Sequence, residues 1–595
     1  MKKVFSSLLA GFLTLLPAEA LSLTEGRDCV SLGGQWNYIV DPMDTGIYKY
    51  HMTLQKPHKR FFADKHFYQD KTKLVEYDFD KAPTLAVPGD WNTQSERLYY
   101  YEGSVWYRRK VDFKPVPGRR WFLYFGAVNY KCMVGLNNVI LGEHKGGFTP
   151  FWFEVTDELK EGENSLVVWV NDTRGPSEVP MNNFDWWNYG GITRDVLLVS
   201  VPQTFISGWR VRFDGGLINL SVYLDGGSGS VTVEIPELGI RKKACSGKDG
   251  VAEFMFKASP QLWSPENPKL YDLVLSCGDE RLTDRVGFRT IKTEGEKILL
   301  NGKPVFLKGV ALHDESIGTN PGRCRSEKDV RALLSAAKDL GCNFLRLAHY
   351  PHSEQMVRIA EEMGFMLWEE LPCYWNIDWS SKETYANAEN QMMEMIERDA
   401  NRAAIIIWSV ANETPRTPQR LSFLGNLISR AKAEDPTRLI SAALQKEYET
   451  IKHAVVEDEL IELTDLLSFN QYTGWYNGTP ASCDSLSWTI PSGKPIIISE
   501  FGGGALYGNH GSDKEMFTEE YLALLYRKNL EMLSKIPGLS GLCPWCLKDF
   551  RSPKRPLTGI QDDFNRKGLI DEQGRRKQAF YVVKEYYEVH QNPSR

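Results

Sequence analysis

Beyond Leu16, no run in these 595 residues is apolar for long enough to cross a bilayer, so membrane-spanning classes of function are set aside. Charge of one sign is not in excess either: 71 Lys and Arg stand against 77 Asp and Glu, a formal net charge of −6. That balance offers no polycationic face, and neither nucleic acid nor an anionic membrane is an expected partner. Cysteine is sparse, ten residues in all. One pair is spaced as CxxC, Cys543-Pro544-Trp545-Cys546, but no second CxxC completes a zinc site. Most of the thiols read as core packing, and neither a metal nor a cofactor is expected. No internal repeat shorter than a βα unit is visible.

What is present begins with an export signal. Met1-Lys2-Lys3 is a basic start, Val4 to Leu16 is apolar, and Ala18-Glu19-Ala20 is a small-x-small cleavage site. No cysteine stands at the cleavage point, which argues against a lipoprotein anchor. The expectation is a soluble, exported protein of a bacterial periplasm, with residues 1–20 removed. The rest is too long for one core, and roughly three domains are expected. Twenty-six Tyr and seventeen Trp are a high aromatic load, useful for cores and for stacking on sugar faces.

From 21 to 202 the chain alternates short apolar runs with Gly-Asn-Asp turns, as in Trp121–Phe125, Val139–Leu141 and Ser165–Val170. No long segment has helical period, so an all-β sandwich is predicted. From 203 to 290 short strands continue, with Leu217–Tyr223 and Ser230–Val233 among them. Ninety residues of this kind fit an immunoglobulin-like sandwich. From 291 to 595 strands alternate with helix-length segments. Eight candidates lie near Val305–Val310, Asn343–Ala348, Phe365–Trp368, Ile405–Val410, Arg438–Ala443, Leu466–Asn470, Pro495–Ile498 and Leu539–Pro544. Ser326 and Asp329 form a capping box before a helix whose apolar face is Val330, Leu333, Leu334, Ala337 and Leu340. Eight such units in about 300 residues match a (β/α)₈ barrel, with polar and aromatic residues gathered at the strands' carboxyl ends.

Two of these strands end on a glutamate. Ile405-Ile406-Ile407-Trp408-Ser409-Val410-Ala411 runs into Asn412-Glu413, and Pro495-Ile496-Ile497-Ile498-Ser499 runs into Glu500. Continuous apolar runs of this length are strands buried on both faces. Two carboxylates at the carboxyl end of one barrel are the equipment for glycoside hydrolysis. One protonates the leaving oxygen, and the other attacks the anomeric carbon or activates water.

Several phrases carry a family resemblance. Val87-Pro88-Gly89-Asp90-Trp91-Asn92, Trp106-Tyr107-Arg108-Arg109 and Gly190-Gly191-Ile192-Thr193-Arg194-Asp195 resemble the sugar-binding jelly roll that opens glycoside hydrolase family 2. Trp263-Ser264-Pro265-Glu266-Asn267-Pro268 and Gly287-Phe288-Arg289 resemble its second domain. The resemblance covers essentially the whole mature chain. It implies an exo-acting, retaining β-glycosidase with Glu413 as acid/base and Glu500 as nucleophile. Their carboxyl groups are then expected about 5–5.5 Å apart. Glu413 is expected protonated at rest, and Glu500 ionised by nearby donors. Asn412 would donate to the sugar 2-hydroxyl. Asn470-Gln471-Tyr472-Thr473-Gly474-Trp475-Tyr476 and Asn565-Arg566-Lys567 resemble motifs of the family's β-glucuronidases, where the Asn and Lys bind the substrate carboxylate. That implies substrate contacts at Asn470, Tyr476, Asn565 and Lys567, with Tyr472 orienting the nucleophile. Asp185 and His349 match positions that touch sugar hydroxyls, and Trp545 matches the floor of the site. Only Leu371 to Ala404 separates the third and fourth strands, too little for the cover that some relatives place over small glucuronides. An open mouth suits the end of a glycan or polysaccharide. A β-galactosidase or β-galacturonidase stays open, as does a non-catalytic carbohydrate-binding protein, which would have no use for two glutamates. A homo-oligomer also stays open.

Overall fold

The computed structural model describes residues 24, 26, 27, 29–47, 70, 72 and 77–589. The expected export signal, residues 1–20, lies outside them.

The first domain is a sandwich of two main antiparallel sheets. One, of four strands, contains Cys29–Ser31, Val196–Pro202, Arg119–Phe125 and Phe151–Glu154 in spatial order. The other, of six, centres on Ser104–Phe113 paired with Gly162–Asn171 over ten residues. Alternation along these strands buries Trp36, Val105, Tyr107, Val134, Val168 and Val170 between the sheets. The second domain is a smaller sandwich of three and four strands, closed around Trp209, Leu220, Val233 and Leu275.

The third domain is a closed parallel barrel. Its strands are β1 Leu307–Leu312, β2 Phe344–Leu347, β3 Met366–Glu370, β4 Ile405–Asn412, β5 Leu439–Gln445, β6 Leu467–Asn470, β7 Ile496–Phe501 and β8 Leu539–Pro544. All of β4 and β7 is buried, the reason for their unbroken apolar runs. The helices are α1 Glu327–Asp339, α2 Glu354–Glu362, α3 Lys382–Asp399, α4 Pro418–Glu434, α5 Glu519–Leu533 and α6 Gln578–Val589. Ser326 caps α1 by accepting from the Asp329 backbone, as predicted, while the Asp329 carboxylate accepts from the Arg325 amide.

The alternation departs from ideal in two places. Among the described residues no α-helix joins β5 to β6 or β6 to β7. A hairpin, Glu447–Thr450 with His453–Val455, follows β5, and Ser487–Thr489 from the next connection pairs with it. Among the described residues no helix is long and apolar enough to cross a membrane.

Arginines help to seat the sandwiches on the barrel. Arg289, at the end of the second domain, donates to the carbonyls of Ala403, Ile405 and Thr437 beneath β4 and β5. Arg194 of the first domain reaches the Pro351 carbonyl and pairs with Asp314. The sandwich rim therefore abuts the barrel's carboxyl-terminal face and lends side chains to it.

Candidate active site

The two glutamates meet at that face, linked through a chain of Arg346, Asn412 and Asn470. Glu500, near the end of β7, is buried, and its Oε1 accepts from Arg346 Nη1 at 2.7 Å. Its Oε2 accepts from the Tyr472 hydroxyl at 2.5 Å. Glu413 follows β4 directly in a left-handed conformation, φ 49°. A side chain other than glycine there costs about 1–3 kcal/mol, strain of the kind that collects at functional sites. Its Oε2 accepts from Trp375 Nε1 at 3.0 Å and its Oε1 from Asn470 Nδ2 at 2.9 Å.

Arg346 is the hub. It projects from β2 with 0 % exposure. Besides Glu500 it donates to both oxygens of Glu370, to the Ser499 carbonyl and to Asn412 Oδ1, the last at 2.7 Å. Asn412 Oδ1 also accepts from Asn470 Nδ2. Both bonds use the oxygen of Asn412 and leave its NH₂ out of this network.

The charges follow from this geometry. Burial alone would raise Glu370, but Arg346 and His349 outweigh it and hold the carboxyl at about 2. Burial pushes His349 down to about 4, against the pull of Glu370, so the ring is neutral at pH 7. Its Nδ1 lies 2.8 Å from Glu370 Oε1 and donates to it. That fixes the tautomer and leaves Nε2 3.9 Å from Glu500. Around Glu500 the expected donors are present, but burial outweighs Arg346 and Tyr472, which lower its carboxyl, and pushes it up to about 7.

Around this pair stand the other sequence candidates. The Trp545 ring stacks on His349, centroids 4.7 Å apart, and forms one wall. Lys567 is 3 % exposed, and its Nζ donates to the Tyr476 hydroxyl at 2.8 Å. The rings of Tyr472, Trp475 and Tyr476 lie within 5.0–5.9 Å of it. Among the described residues no carboxylate pairs with it. Asn565 is partly engaged: one amide hydrogen goes to Asp185 Oδ2, and its Oδ1 accepts from the Lys567 amide. Asp185, from the first domain, is ion-paired to Arg555 and accepts from Ser552. It thus clamps the loop after β8 that carries Asn565 and Lys567. Gly568 lets that loop close: a Cβ there would lie 2.1 Å from the Asp549 nitrogen. Asp549, bonded to Lys577, accepts from the Gly568 amide at 2.8 Å. All eleven sequence candidates thus fall in one cluster. Cys543 and Cys546 are buried beside it, and the Cys546 Sγ lies 3.1 Å from the Lys548 carbonyl.

Sequence reasoning missed Arg346, Glu370 and Trp375. The signal for Arg346 was a lone charge inside an apolar strand, Phe344-Leu345-Arg346-Leu347. A buried charge persists only with partners, and its presence there predicts them.

The chain matches three family models end to end. The sugar-binding domain of glycosyl hydrolases family 2 covers residues 29–202, a second model of the same family covers 207–289, and its TIM barrel domain covers 291–592. A putative β-glucuronidase of Formosa agariphila is 29% identical over 566 residues, which is 85% of this chain and 66% of that protein. Among solved structures, the β-glucuronidase of Faecalibacterium prausnitzii is 25% identical with a TM-score of 0.79, covering 95% of this chain and 98% of its own. A β-galacturonidase from Eisenbergiella tayi, bound to glycerol, is 25% identical with a TM-score of 0.78, covering 96% and 98%.

Proposed function

Given that this chain belongs to glycosyl hydrolases family 2, we propose that it is an exo-acting, retaining β-glucuronidase that removes terminal β-linked glucuronic acid from glycans or glucuronides. The observation that carries the choice of sugar is Lys567. A buried ammonium whose only polar partner among the described residues is a phenol is electrostatically incomplete, and a uronate carboxylate completes it. Tyr476 and Asn565 stand beside it to orient that carboxylate.

The reaction runs in two steps. Ionised Glu500 attacks the anomeric carbon while Glu413 gives its proton to the departing oxygen, leaving a glycosyl ester on Glu500. Glu413, now a carboxylate, takes a proton from water, and that water displaces Glu500 with the original configuration restored. Asn412 holds the 2-hydroxyl through a bond that tightens as the ring flattens. Tyr472 and Arg346 keep the Glu500 oxygens aimed. A panel of 4-nitrophenyl glycosides tests the reading. The β-glucuronide is expected to be cleaved fastest, and a β-galactoside or β-galacturonide cleaved faster overturns it.

The start of the chain supports export to a bacterial periplasm. Met1-Lys2-Lys3, the apolar run to Leu16 and Ala18-Glu19-Ala20 carry that reading. Cell fractionation checks it, with a mature protein beginning at Leu21 expected outside the cytoplasm.

A further inference from the structure

The leaving group departs on the side of Glu413, the residue that protonates it. On that side one element is held rigidly. The Trp375 amide donates to the Asn412 carbonyl at 2.9 Å, and the Asn412 amide to the Cys373 carbonyl at 3.0 Å. These bonds fix the loop after β3 to the end of β4. The Trp375 indole then reaches Glu413 Oε2, and Trp375 itself sits at φ 54°. Both members of that hydrogen bond are thus held in the left-handed region, a strained arrangement that the surrounding bonds impose.

Over the half-buried Trp375 ring lies the Lys554 ammonium, 4.8 Å from its centroid. Lys554 comes from the loop after β8, and its hydrogen bond goes to the neutral side-chain oxygen of Asn183. Among the described residues no carboxylate pairs with it. The next residue, Arg555, differs in this respect, since its charge is neutralised by Asp185. Lys567 and Lys554 are thus two cations by the site that, among the described residues, make no ion pair, although Asp185 acts on Lys554 from farther off. Lys567 is assigned to the sugar being removed, whereas Lys554 stands over Trp375, on the Glu413 side of the site.

We propose that Trp375 and Lys554 form a leaving-group subsite that selects glycosides whose leaving group carries an anionic substituent, a carboxylate or a sulfate. The inference rests on the assignment of Glu413 as acid/base and names the substrate class for that site: an acidic glycan with negative charge on two successive residues. Trp375 is also a positioning residue for Glu413, so the charge of Lys554 is the part to test.

The test compares two aryl glycosides that differ in charge and little else, 4-carboxyphenyl and 4-carbamoylphenyl β-glucuronide. The readout is the ratio of their kcat/KM values, which cancels effects common to both. Lys554→Gln should lower the carboxylate-to-amide ratio about three- to fivefold, the scale of an exposed ion pair. Lys554→Glu should lower it by about tenfold or more, and Lys554→Arg should preserve it. A steeper fall of the ratio with added salt in the wild type than in Lys554→Gln is also expected. A ratio that is the same in wild type and Lys554→Glu overturns the subsite. If the panel shows that another glycone is cleaved in place of glucuronide, the same pair of leaving groups is placed on that sugar. The subsite then stands or falls on the ratio there, separately from the choice of sugar.

Discussion

Lys567→Met separates the role of Lys567 from its structural setting. The ammonium is nearly inaccessible, and among the described residues its only polar contact is the neutral Tyr476 hydroxyl, so no protein anion offsets the cost of burying it there. Methionine is close in volume and apolar, and three aromatic rings already surround the site. Replacing buried charge by packing of similar volume is neutral or stabilising by about 1–4 kcal/mol, so Tm should hold or rise. Activity should move the other way. A uronate carboxylate left buried without its cation costs about 3–5 kcal/mol, roughly a hundred- to several-thousand-fold in kcat/KM on a β-glucuronide. A β-glucoside lacks the carboxylate, so its kcat/KM should barely change. The assay is the glucuronide-to-glucoside ratio for both proteins, beside a thermal melt. A variant that melts lower and loses both activities equally would make Lys567 a structural residue and refute the reasoning.

Glu500→Gln should abolish turnover with the fold intact, and a 2-fluoro glycoside should label the wild type at Glu500, as read by peptide mass spectrometry. Glu413→Ala should be rescued by azide on a substrate with a good leaving group, and NMR should show the β-glycosyl azide; an α-azide would mean inversion. Because Glu500 must be ionised to attack and its carboxyl sits at about 7, kcat/KM should rise with pH up to about 7 and fall about tenfold per unit below it. An acid limb in the ordinary carboxylate range would mean that Arg346 and Tyr472 outweigh burial. Gly568→Ala places a methyl 2.1 Å from the Asp549 nitrogen and should cost about 1–3 kcal/mol of stability, measured by denaturant unfolding, while loosening the loop that holds Lys567.

The barrel and its two glutamates were legible because burial on both faces writes itself as an unbroken apolar run. β4 and β7 end where the run meets Asn412-Glu413 and Glu500. The connections after β5 and β6 were less legible. They have the length of helices, but length does not specify content: Gly474, Gly478, Pro480 and Gly493 break any helical period after β6, while the stretch after β5 folds into the hairpin Glu447–Thr450 with His453–Val455. Arg346 was hidden for a different reason. Its partners Glu370, Asn412 and Glu500 stand 24, 66 and 154 residues away, and no local window shows that three strand ends converge on one guanidinium. The Asp185–Arg555 clamp joins positions 370 residues apart and exists only because the sandwich rim meets the barrel.

That convergence also explains the state of Glu500. Arg346 is one positive charge shared by two carboxylates, and Glu370, held at about 2, already neutralises it. Glu500 is the second claimant and is buried, so its carboxyl is pushed well above the ordinary range. The resting site is therefore short of one positive charge. As the glycosidic bond breaks, an oxocarbenium-like charge grows beside Glu500 and supplies it. The full attraction between Glu500 and a cation is realised only there. An interaction stronger in the transition state than in the ground state is what accelerates a reaction. A second arginine beside Glu500 would hold it ionised at rest, satisfy it early and remove that difference. The economy of one guanidinium for two carboxylates is, on this argument, part of the catalytic design.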